Sequence, residues 1–100
     1  MDERTTELQR VVRAIPPGTV TTYGAVARVL ATTPRAAGRL MAVHGSGLPW
    51  WRVVNAAGHP PPHGRAAALE QYLAEGTPLR SRDADTVRVD MAAATWWELR

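Results

Sequence analysis

The chain has 100 residues, a formal net charge of +3 and no cysteine. That length supports one small domain, residues 1–100, with little core to spare, and the missing thiols exclude a disulfide framework, a thiolate nucleophile and any cysteine-based zinc site. Every basic residue is arginine, and between Leu8 and Leu69 the only formal charges are Arg10, Arg13, Arg28, Arg35, Arg39, Arg52 and Arg65, a one-signed stretch that suits a polyanionic partner.

In chain order, Leu8, Val11, Val12 and Ile15 recur at helical spacing, with Asp2 and Glu3 near the start, where a helix dipole favours anions. This first helix is expected to end at Ile15, because Pro16-Pro17-Gly18 cannot continue it. Thr21 or Thr22 can cap a second helix with Val26, Val29 and Leu30 on its apolar face. Thr33 followed by Pro34 is a start signal for a third, through a hydroxyl N-cap and a proline at the first helical position. Ala37, Leu40 and Met41 share one side of it, and Gly45-Ser46-Gly47 should end it.

These two short helices read as a helix-turn-helix, whose second member usually faces nucleic acid. Trp50 to Val54 is too short for a helix and is expected to turn into a brief extended segment, followed by a turn at Asn55-Ala56-Ala57-Gly58. Pro60-Pro61-Pro62 is a stiff connector to a fourth helix, with Leu69, Tyr72 and Leu73 inward and Gly76 as its stop. Val87-Arg88-Val89 alternates like a short strand, and Trp96-Trp97 reads as a hydrophobic clasp for the C-terminus. His44, His59 and His63 lack ligand spacing and are assigned to loops, so no metal or cofactor is expected. No apolar run approaches the roughly 18 residues of a membrane span. The expected location is cytoplasmic, nucleoid-associated when bound to DNA, with no membrane partner.

Four segments then fall in one order: Pro17-Gly18-Thr19-Val20-Thr21-Thr22-Tyr23-Gly24, Arg35-Ala36-Ala37-Gly38-Arg39-Leu40-Met41, Pro49-Trp50-Trp51-Arg52-Val53-Val54-Asn55, and Gly58. This series resembles the C-terminal DNA-binding domain of O6-alkylguanine-DNA alkyltransferases, whose reactive segment reads Pro-Cys-His-Arg-Val-Val/Ile. With Trp where the acceptor Cys would stand, it is most similar to the alkyltransferase-like proteins. The resemblance implies a mainly α fold with a short β element, a small winged-helix-like helix-turn-helix domain. It implies that Tyr23 presses on the phosphate 3′ to a lesion and that Arg35 enters the base stack, with Arg39 competing for that role. It further implies that Trp50 replaces the alkyl-acceptor cysteine, Trp51 its activating histidine, and that Arg52 follows them.

Trp51 departs from the family, since alkyltransferase-like proteins commonly keep His there. The motif thereby loses its remaining general base, and no acid or thiol lies near it in sequence. Extruding a base costs a few kcal/mol, less for a weakened alkylated pair, and an indole offers a flat wall for the extruded base. Either indole could meet it; without the motif, both would be read as core. Arg52 suits DNA contact and structural bonding to backbone carbonyls equally.

The function expected is non-enzymatic: binding of O6-alkylguanine in duplex DNA by base flipping through Tyr23, Arg35, Arg39, Trp50, Trp51 and Arg52. The resemblance implies that a monomer flags the lesion for nucleotide excision repair proteins. The competing reading is a helix-turn-helix regulator without lesion preference.

Overall fold

The computed structural model describes residues 3–96. Helix α1 (Glu3–Ala14) buries Thr5, Leu8, Val11 and Val12. It stops one residue earlier than expected, and Ile15, just past its end, is itself buried. Helix α2 (Tyr23–Val29) is capped by Thr22, whose hydroxyl accepts from the Ala25 N–H at 3.0 Å. Helix α3 (Pro34–His44) begins as its sequence indicates, with Pro34 in the first turn and the Thr33 hydroxyl accepting from the Ala36 N–H at 3.1 Å.

Between α2 and α3 the chain reverses through Ala31 at φ 54°. Thr32 N–H donates to Ala27 O at 2.9 Å and Ala31 N–H to Arg28 O at 3.2 Å, the bond pair of a Schellman turn with alanine where glycine usually sits. The tight reversal packs α2 on α3 and completes the helix-turn-helix.

Two short strands were not foreseen. Thr21, a candidate cap, instead forms β1 (Thr21–Thr22), which pairs in parallel with β2 (Val53–Val54) in the register Thr21↔Val53 and Thr22↔Val54. Val20, just before β1, bridges Thr95. The extended segment expected near Val87 is strand β4 (Arg88–Val89), which forms an irregular antiparallel pair with β3 (Leu79–Ser81), a partner the sequence reading lacked. A short helix α5 (Met91–Ala94) follows.

Helix α4 (Arg65–Glu75) follows a single 3₁₀ turn, Pro62–Gly64, and ends at Gly76 in the left-handed region, as expected. Its inward residues differ in part. Ala68 and Tyr72 are both 0% exposed while Leu73 is 52% exposed. One residue beyond Tyr72 lies about 100° around the helix, which turns Leu73 outward from the stripe that Ala68 and Tyr72 define.

The core consists of two apolar clusters. One joins α1, α2 and α3 with Leu48 and Val53; the other joins Val20, Val54, Ala68 and Tyr72 with Val87, Val89 and Ala94. Trp50 packs against both clusters and so occupies the seam between them. Trp96 lies on the first cluster and its N–H donates to Val20 O at 2.8 Å, as a clasp would require. Trp97, the other half of the expected clasp, lies outside the described residues.

Candidate nucleic-acid interface

Beside that seam, a cleft of about 640 Å³ opens between α3 and the segment from Asn55 to Gly64. Trp50 lines it, with Tyr23 at the first position of α2 and Gly38, Met41 and Ala42 from one face of α3. Gly38 leaves its part of the wall open, since a Cβ there would meet nothing within 4 Å. Pro60, Pro61 and Pro62 complete an apolar rim, while Asn55, His59 and His63 bring the polar atoms. No carboxylate lines the cleft.

The two indoles of the motif are separated by geometry. They meet edge to face with ring centroids 5.7 Å apart and planes at 84°. Trp51 points away from the cleft: its Nε1–H donates to Glu75 Oε2 at 3.1 Å and its ring packs on the second cluster. Gly64 fixes the other indole. A Cβ on Gly64 would lie 2.9 Å from Trp50 Cη2, so glycine alone lets the loop lie flat on the ring.

Arg52, placed among the candidate DNA contacts but read as suiting structural bonding to backbone carbonyls equally, is drawn inward. Its side chain is 13% exposed and pairs with Glu75, 11% exposed, through Nη2 to Oε2 at 2.6 Å and Nε to Oε1 at 3.1 Å. Its Nη1 donates to Ile15 O at 3.0 Å, and the guanidinium carbon lies 5.4 Å from the Trp51 ring centroid. Gly18 N–H adds a bond to Glu75 Oε1 at 3.2 Å. One carboxylate therefore ties together the turn after α1, the tryptophan motif and the end of α4.

No acid stands near the motif in sequence, but the fold brings one to it. Glu75 is 24 residues from Trp51 in the chain, and nothing in the local pattern marks it as a partner. Burial pushes its carboxyl up, but hydrogen bonds from Arg52, Gly18 and Trp51, with the charge of Arg52, outweigh that and hold it below the usual range. Each oxygen already accepts two donors, which leaves it poorly placed to act as a general base. Tyr72 supports the same motif by donating from its hydroxyl to Trp51 O at 2.5 Å. Burial raises the phenols of both Tyr72 and Tyr23, so Tyr23 keeps its proton at neutral pH.

Arg35 and Arg39 are exposed on α3, and neither makes an ion pair or side-chain hydrogen bond among the described residues. Gly38, Met41, Ala42 and Gly45 define the direction in which the cleft lies. At about 100° per residue, Arg35 falls roughly 70° from the centre of that stripe and Arg39 roughly 110°. The structure thus brings Tyr23 and Trp50 together in the cleft, leaves Arg35 and Arg39 exposed on α3 outside its lining, and turns Trp51 and Arg52 to its support. The sequence reading missed His59, His63, Gly64 and Glu75; no motif marks the four, because each acquires its place through contacts between distant elements.

A helix-turn-helix beside an aromatic-walled, carboxylate-free cleft defines a DNA-binding domain of a recognised type. Residues 3–76 match the family model for the 6-O-methylguanine DNA methyltransferase, DNA binding domain, and the chain belongs to that family. Within it, the likeness is to alkyltransferase-like proteins. The chain is 54% identical over 54 residues to the DNA base-flipping proteins of Escherichia coli (strain K12) and Shigella flexneri, a match covering 49% of this chain and 41% of each relative. The chain therefore aligns with less than half the length of those relatives. The fold is similar to that of S. pombe Atl1 in complex with damaged DNA containing O6-carboxymethylguanine, with a TM-score of 0.80, 26% identity and 96% of both chains covered. A structure of S. pombe ATL in complex with DNA agrees equally well, at TM-score 0.80 and 27% identity over 96% of both chains.

Proposed function

We propose that this protein recognises O6-alkylguanine in duplex DNA, rotates the altered nucleotide out of the helix and holds its base against Trp50 without reacting with it. The observation that carries this reading is the position of Trp50, which the motif resemblance sets where the family's alkyl acceptor would stand, in the wall of an open cleft beside Tyr23. The base-flipping relatives and the fission-yeast complex with damaged DNA support it. In this reading Tyr23, at the start of α2, presses on the backbone, Arg35 fills the vacated stack and Arg39 meets adjacent phosphates. A chain without cysteine has no thiol to accept an alkyl group, and the one acid near the motif is fully engaged. The bound protein then serves as a mark for other repair factors, among which the excision machinery is the candidate.

The test is a titration of otherwise identical duplexes with guanine or O6-methylguanine at fixed salt, followed by intrinsic tryptophan fluorescence. Lesion-specific quenching and tighter binding are expected, with unchanged protein mass after incubation. Equal affinity for both duplexes would leave a helix-turn-helix protein without lesion preference. A mass gain of one methyl group would overturn the binding-only mechanism.

A further inference from the structure

The two indoles of the motif differ in what their N–H groups meet. Trp51 Nε1–H has the Glu75 carboxylate at 3.1 Å. Trp50 Nε1–H has no acceptor among the described residues, and it is not sealed from solvent. A tryptophan packed into a domain usually finds a partner for that donor, and Trp50 packs on both apolar clusters. Its benzo end is held under Gly64, which leaves the side that lines the cleft as the reachable one.

This donor is unlike the other polar groups of the cleft. Tyr23, His59 and His63 carry groups that act as donor or acceptor according to rotamer, tautomer or protonation, so they adapt to either kind of ligand edge. Asn55 is exposed, and an amide in water discriminates little. The indole N–H can only donate. Of the groups lining the cleft, it is the half-buried one whose preference is fixed.

Alkylation at O6 changes the guanine edge in a way that matches such a donor. Guanine carries a hydrogen on ring nitrogen N1. Once the oxygen is alkylated, the ring is fixed in the form in which N1 has a lone pair and no hydrogen. We propose that Trp50 Nε1–H donates to N1 of the extruded O6-alkylguanine, and that this bond separates lesion from guanine whatever the alkyl group. This rests on the base-holding reading above. A base drawn against the ring displaces solvent from the N–H. N1 of the lesion replaces that solvent, whereas N1–H of guanine sets two donors against each other and leaves both unpaired. A flipped base is commonly read along this same Watson–Crick edge.

The full chain is titrated at fixed salt with duplexes identical except for guanine, O6-methylguanine, or an analogue of O6-methylguanine in which C–H replaces either N1 or N7. The N1 analogue is expected to bind more weakly than O6-methylguanine, although its own base pair is no stronger, and the N7 analogue to match the parent lesion. In Trp50→Phe, which keeps an aromatic ring and removes the donor, the ratio of parent to N1 analogue should shrink about ten-fold. Base-pair strength is common to both proteins, so that change in ratio isolates the indole donor. The wild-type protein gives a second readout that holds even if Trp50→Phe does not fold. In proton–nitrogen correlation spectra, the Trp50 indole proton should move downfield with the O6-methylguanine duplex and not with the N1 analogue. Equal ratios in the two proteins, or an indole proton that responds alike to both lesions, overturn the proposal; the base-holding reading survives if O6-methylguanine still exceeds guanine. Equal wild-type binding of O6-methylguanine and guanine defeats the underlying reading instead.

Discussion

Gly64 lies so close to the Trp50 ring that a Cβ there would stand 2.9 Å from Cη2 and 3.0 Å from Cζ3. The backbone of Gly64 has φ −119°, a conformation any residue can adopt, so the need for glycine is steric rather than conformational. Gly64→Ala should therefore displace the indole toward the cleft while the helices stay folded. Lesion binding is expected to weaken about ten-fold, because the displaced ring takes space the base would occupy, with a shifted tryptophan emission and a lowered melting temperature, since overpacking costs the fold roughly 1–3 kcal/mol. Unchanged binding and emission would show that the ring position does not matter.

The two arginines of α3 should separate by what their loss does. Arg35→Ala is expected to lower affinity for the lesion duplex more than for the control, because it stands nearer the cleft direction than Arg39 and is the residue proposed to fill the emptied stack. Arg39→Ala should weaken both duplexes alike and reduce the slope of log affinity against log salt by about one. A larger loss of lesion preference in Arg39→Ala would exchange the roles.

Glu75 makes a stability prediction with a defined sign. Its carboxyl lies below the ordinary value of 4.5 when folded, so its ionised form stabilises the fold above that value and the contribution disappears as pH falls toward the folded pKa. Glu75→Gln leaves the Arg52 charge poorly compensated and should cost about 2 kcal/mol at neutral pH. Denaturant titrations of both proteins should converge as pH falls through the folded pKa of Glu75, which lies below its ordinary value, since the wild-type carboxyl is then protonated too. A constant gap across that range would remove Glu75 as the titrating group.

Ala31 adopts φ 54° in the turn between α2 and α3. Left-handed backbone costs a residue with a Cβ roughly 1–2 kcal/mol, part of which glycine returns through its greater freedom in the unfolded chain. Ala31→Gly should raise stability by about 0.5–1 kcal/mol, detectable by thermal denaturation, without altering DNA affinity. A lower melting temperature would contradict the strain assigned to this turn.

Much of the framework was legible in the sequence because its signals are local. Thr33-Pro34 starts α3, Pro16-Pro17 stops α1 and Gly76 closes α4, each through the chemistry of one or two adjacent residues. The strands were legible only in part: the extended segments at Val53-Val54 and Val87-Arg88-Val89 hold β2 and β4, but β1 and β3 gave no sign. Thr21 and Thr22 are extended only because Val53 and Val54 lie alongside, and two-residue strands carry no alternation to read. The family pattern led to Tyr23 and Trp50, which do meet in the cleft. It could not separate Trp50 from Trp51, because that depends on Glu75, a residue distant in sequence that claims the second indole and Arg52 together.

The grip on Val20 extends the working unit past the segment by which the family is recognised. Residues 3–76 carry the family match, yet Val20 N–H donates to Ala94 O at 3.0 Å and Val20 O accepts from Trp96 N–H at 2.8 Å. Val20 leads directly into Thr21, Thr22 and Tyr23, so the chain beyond residue 76 is the anchorage of the tyrosine that lines the cleft. A version trimmed to the matched region would keep every motif residue and lose the mooring on one side of β1.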